Sequence, residues 1–144
     1  MGAFLRRTPA ERAAIIRALP TLARVELGLR RNVSLPELAS RLGIRLGTDP
    51  VGPPRRGAPL TARERLDADA ARRVVRRFPA EARCLRRALL IGHALRARDP
   101  VLRIGAAKHD GQIHAHAWIE VGGQVPENTE HGVTFLPLRR SSGS

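Results

Sequence analysis

"FPAEARCLRRALLIGHALRARDP" occupies Phe78–Pro100, and "IHAHAWIEV" follows it at Ile113–Val121. The first stretch reads as a helix. Pro79 opens it, Cys84, Ala88, Ile91 and Leu95 fall on one apolar stripe, and Asp99-Pro100 stops it near Arg98. The second reads as a strand, because alternation places His114, His116, Trp118 and Glu120 on one face and Ala115, Ala117, Ile119 and Val121 on the other. The change of period at Asp99-Pro100 therefore separates a helical half from a sheet half, which is an α+β layout.

Upstream, apolar residues at Ala13, Ile16, Leu19, Leu22 and Val25 give Pro9–Arg30 a helical spacing, with Pro20 implying a kink or a break. "SLPELASRLGI" adds a short helix with Ser34 as N-cap, Pro36 in its first turn and Gly43 as its stop. Gly47–Leu60 is rich in proline and glycine and reads as a loop, and Thr61–Arg77 is a third helix before the one that carries Cys84. Downstream, "VLRIGAA" and the His-rich strand form a hairpin around Asp110-Gly111. Gly122-Gly123 makes the next turn, and "GVTFLPL" can add a third strand. The expected sheet is small and antiparallel.

A chain of 144 residues can bury a core without staples. One cysteine permits no intrachain disulfide, so the fold does not depend on an oxidising compartment and a cytoplasmic setting is the default. The most apolar stretch, Ala13–Leu29, is broken by Arg17, Pro20, Arg24 and Glu26, and reads as neither a signal peptide nor a membrane span. Ser141–Ser144 reads as a tail outside the fold.

The formal charge is +13, and every one of the 26 basic residues except Lys108 is arginine. They are spread along each expected helix instead of forming a block. Three Phe, one Trp and no Tyr leave few stacking platforms, so nucleic acid is a poor fit. An acidic protein or peptide is compatible with such a surface.

Cys84 admits two readings. A position early on a helix beside Arg83, Arg86 and Arg87 favours a thiolate. The apolar stripe favours a small buried hydrophobe. The histidines also divide. His-x-His on a strand can bind metal, with His109 or Asp110 as further ligands, but no second cluster completes a tetrahedral shell. Alternatively, one of them serves Cys84 as a base, itself oriented by a third group. His93 is a poor base candidate, because nine residues along one helix place it about half a turn from Cys84.

"CLRRALL" at Cys84, "AHAWIEV" at Ala115–Val121, and the turn and short polar strand after it resemble the transglutaminase-like (papain-like) cysteine protease fold. Within it, they resemble the leader peptidase of split lasso-peptide maturation systems. The resemblance implies a catalytic core over 61–140, preceded by an N-terminal helical region over 1–50 and the Pro/Gly-rich loop at 51–60, with 141–144 as tail and the whole as one domain. It implies a Cys-His-Asp arrangement, with Cys84 as nucleophile, His116 as general base and then acid, and Trp118 shielding the pair from water. The stretch matching the family's aspartate, "VPENTEHG", contains none. Counting from the histidine gives Asn128, which can still orient an imidazole. A two-residue turn at Gly122-Gly123 would pair Val121 with Gln124, Trp118 with Glu127 and His116 with Thr129, which puts Glu127 on His116's face instead. Pro126 can disturb that ladder, and Glu120 is a further possibility.

The implied substrate is a ribosomally made lasso precursor, cut between leader and core so that a separate ATP-dependent lasso cyclase can use the new amine. The implied partner is a small leader-recognition protein, docked through the N-terminal helices if these do more than cover the core. Proteolysis itself would need no metal or nucleotide. Two rivals remain: a basic nucleic-acid-binding domain indifferent to Cys84, and acyl transfer to an amine by the same residues.

Overall fold

A computed structural model describes residues 2–47, 55–109, 111–126 and 134–137. A short helix α1 (Gly2–Leu5) precedes α2 (Pro9–Arg30) and α3 (Leu35–Arg41). Helix α2 starts at a capping box, with Thr8 and Glu11 satisfying each other's backbone N–H, and Ser34 caps α3. Pro20 does not break α2, which runs unbroken from Pro9 to Arg30. Proline removes the hydrogen bond to the carbonyl four residues back, at Ile16. Ile16 and Pro20 are both exposed, so water can serve that carbonyl while Ala14, Val25 and Gly28 on the buried face hold the helix down.

Helix α4 (Ala62–Val74) also begins at a capping box, Thr61 with Glu64, and ends in a 3-10 turn at Val75–Arg77. Helix α5 (Ala80–Ala94) follows Pro79, and a 3-10 turn at Arg96–Arg98 completes the expected span. The three long helices pack together. Arg17 pairs with Asp67 at 2.7 Å across α2 and α4, and Arg86 pairs with Glu26 across α5 and α2.

The sheet follows the helices, as expected for α+β. Strands β3 (Val101–His109) and β4 (Gln112–Glu120) pair antiparallel from Val101↔Glu120 to His109↔Gln112. The expected third strand is present as β6 (Thr134–Pro137), antiparallel to β3 on the edge that β4 leaves free. The sheet is not purely antiparallel, however. Strand β1 (Arg45–Leu46) joins β3 in parallel, so Ile44 and Leu102 are both buried in the core.

The Pro/Gly-rich loop likewise contains a strand, β2 (Arg55–Ala58), parallel to β5 (Gln124–Pro126). That pairing joins segments far apart in the chain, and the local proline and glycine content conceals it. Gly122 and Gly123 have φ of +58° and +75°, and Val121 pairs with Gln124 around them, the two-residue turn the sequence predicts. Beyond it β5 pairs with β2. Glu127 and Thr129, needed for the rest of the expected β4 ladder, lie outside the described residues.

One continuous core lies between the helices and the sheet. It contains Val25, Leu89 and Leu102, each 0% exposed, with Ala88, Ile91 and Leu95 of the α5 stripe against Ala117 and Ile119 of β4. Helix α5 approaches the sheet closely because of Gly92. A Cβ there would stand 2.5 Å from the Ile44 side chain and 2.8 Å from that of Ile119, closer than packed atoms tolerate. Among the described residues no helix is long and apolar enough to cross a membrane.

Candidate active site

Helix α5 holds Cys84 at its fifth residue, with the lower end of the apolar stripe packed against the core. The thiol is half-buried. Strand β4 has β3 on one side, and Cys84 sits at its opposite edge. Ala117 N–H donates to Sγ at 3.1 Å, and the Ala117 carbonyl lies 3.2 Å from the same sulfur. Those two groups point away from β3, so the thiol occupies the place of a neighbouring strand's backbone.

Ala117 faces the core under α5, so His116 belongs to the other face of β4. Its ring reaches the edge and brings Nδ1 to 2.8 Å from Cys84 Sγ, with Nε2 at 3.8 Å. The apolar stripe and the nucleophile position are thus one arrangement. Packing fixes the helix, and the stripe's residue nearest the N-terminus is the thiol at the strand edge.

The sulfur's single proton can serve one acceptor at a time. As a thiol, Cys84 can donate to Nδ1 or to the Ala117 carbonyl. As a thiolate, it accepts from a protonated Nδ1 and from Ala117 N–H, so the proton can move between sulfur and ring without rearrangement of the backbone.

Trp118 follows His116 on the same face. It is 2% exposed, and its ring stacks on the imidazole with centroids 6.2 Å apart and planes 20° from parallel. Trp118 Nε1–H donates to Glu120 Oε1 at 3.0 Å. Arg103 of β3, directly opposite Trp118, donates from Nε to Glu120 Oε2 at 3.2 Å. Glu120 is 3% exposed and both of its oxygens have these partners.

Cys84 and His116 are therefore brought together, as the resemblance implied. Asn128 and Glu127, the candidates for the third member, lie outside the described residues. Glu120 is engaged by Trp118 and Arg103. Of the cations expected beside the thiol, Arg83 donates to the carbonyls of Phe78 and Arg76, while Arg86 pairs with Glu26 over the Phe78 ring. These two arginines bind α5 to its surroundings.

For the metal reading, His114 lies on β4 opposite Ala107, His109 ends β3, and Asp110 lies outside the described residues. Among the described residues no group of three His, Cys, Asp or Glu is placed to hold an ion. His93 is remote from the thiol: its Nδ1 lies 3.0 Å from the Leu42 carbonyl. It lines a groove of about 530 Å³ between α2, α4 and α5. Sequence reasoning missed the Ala117 backbone, because alternation assigns side chains to faces and says nothing about which strand is an edge.

A family model described as the transglutaminase-like superfamily matches residues 28–140, most of the chain. No curated protein and no solved structure matches it.

Proposed function

The chain belongs to the transglutaminase-like superfamily, and from that premise we propose that it is a cysteine endopeptidase removing the leader from a lasso-peptide precursor. Members of this superfamily act as cysteine proteases or acyl transferases, and both reactions begin with the same thioester. The observation that carries the reading is the 2.8 Å contact between Cys84 Sγ and His116 Nδ1 at the edge of β4.

Sγ attacks the scissile carbonyl carbon as its proton passes to Nδ1. The imidazolium then returns that proton to the departing amine, which leaves with the core peptide. A water gives a proton to the same nitrogen and attacks the thioester, releasing the leader as an acid and restoring the thiol. Asn128 or Glu127 would hold the ring from its Nε2 side. A small leader-recognition protein presents the precursor, and an ATP-dependent cyclase consumes the released amine. The basic surface suits an acidic leader or partner.

The test is leader removal followed by mass spectrometry. The chain, a lasso precursor and its recognition protein should yield leader and core differing from the precursor by one water. Cys84→Ala should leave the precursor intact, and His116→Ala should cleave it far more slowly. Retained cleavage in Cys84→Ala, or undiminished cleavage in His116→Ala, overturns the peptidase assignment, and a product carrying an added amine in place of water reassigns the chain to acyl transfer.

A further inference from the structure

We infer that Glu120 is a positioning residue for His116, acting through the Trp118 indole and anchored by Arg103. The inference rests on the cysteine–histidine reading above. His116, Trp118 and Glu120 stand at successive positions on one face of β4, and Arg103 faces Trp118 from β3. They form a chain of contacts: ring on ring at 6.2 Å, indole N–H to carboxylate at 3.0 Å, and carboxylate to guanidinium at 3.2 Å.

Each link restrains a different motion. A half-buried imidazole on a strand can turn about its side-chain bonds, and Nδ1 must stay on Sγ for proton transfer. A near-parallel indole opposes tipping of the imidazole. The indole can itself turn, and a single donor fixed on Oε1 stops it. The carboxylate could swing as well, and Arg103 holds its second oxygen.

Burial strengthens the inference. A carboxylate at 3% exposure is costly unless paired, and an apolar residue of similar volume commonly stabilises such a place as well or better. Orientation of the indole is what the acidic group supplies and an apolar one would not. Glu120 is thus distinct from a third catalytic member, which would contact the imidazole itself by hydrogen bond.

Three variants decide the matter, with thermal unfolding, Cys84 alkylation by iodoacetamide at neutral pH, and kcat and KM for leader removal as readouts. Trp118→Phe keeps an aromatic plate and the Arg103–Glu120 pair but loses the N–H. Glu120→Gln keeps an acceptor, and Glu120→Ala removes it. Glu120→Ala should lower kcat about ten- to a hundredfold with KM nearly unchanged, and slow alkylation in parallel. Trp118→Phe should show the same pattern more weakly, and Glu120→Gln should recover most of the loss.

Folded Glu120→Ala with wild-type kcat and alkylation, or a fall in Tm alone, overturns the inference. Should Glu120→Ala fail to fold, Trp118→Phe decides in its place, and unchanged alkylation there is the contrary result. Alkylation needs no peptide substrate. A wrong substrate class therefore shows as absent cleavage in the unaltered protein, while the alkylation rates still test Glu120.

Discussion

His116 and His93 are both half-buried, and their Nδ1 atoms meet partners of different kinds, Cys84 Sγ at 2.8 Å in one case and the Leu42 carbonyl at 3.0 Å in the other. The difference lies in the partner. A carbonyl can only accept, so His93 is a fixed donor that ties the last turn of α5 to the end of α3. A thiol can give up its proton, so His116 can exchange one. Helix α5 thus meets a histidine in each of two settings, carrying His93 itself against a carbonyl and presenting Cys84 to His116 of β4, and the groove beside His93 is lined by no thiol.

The sharpest way to break this contrast is at the thiol side. Cys84→Ala should abolish leader removal, and His116→Ala should lower it about a hundred- to ten-thousandfold, both without loss of cooperative unfolding. Mass spectrometry of the products checks each.

Next comes the packing that joins the two sides. Gly92→Ala places a methyl against Ile44 and Ile119, so either α5 or those side chains must move. An expected cost of about 1–3 kcal/mol in urea unfolding should be accompanied by slower alkylation of Cys84, because the helix carries the thiol away from Ala117. A cost in stability with unchanged alkylation would mean that the side chains yield instead.

His93→Ala should cost about 1 kcal/mol, the worth of one neutral hydrogen bond, and leave kcat unchanged. A loss of activity comparable with His116→Ala would erase the contrast. The smallest effect belongs to Asp99→Asn. Its hydrogen bond to Arg45 holds the Asp99 carboxyl below the ordinary carboxylate range. A depressed folded value stabilises at neutral pH and is lost as the pH falls through that value, so the variant should be slightly less stable at pH 7 and equal to the parent in acid. Asn tolerates the left-handed φ of +53° at this position, which isolates the charge. Thermal melts at the two pH values are the check.

Much of this contrast was legible in the chain. The helix stripe through Cys84, Ala88, Ile91 and Leu95 and the alternation from His114 to Glu120 are local periods, and both elements formed where those periods lay. His93 could be set aside from spacing alone. Strands β1 and β2 were not legible, since two to four residues carry no period and their parallel partners are distant. The break offered at Pro20 did not occur, because its cost depends on whether the orphaned carbonyl meets water, which is a matter of exposure. The contact of Cys84 with the Ala117 backbone was hidden for a related reason: being an edge strand is a property of the assembled sheet.

The central claim is that Cys84 and His116 form a nucleophile and base. Its most direct test is the time course of Cys84 modification by iodoacetamide at neutral pH, followed by mass spectrometry on native protein. The account predicts rapid modification in the parent, slowed about tenfold or more in His116→Ala and unchanged in His93→Ala. Equal rates in the parent and His116→Ala would contradict it.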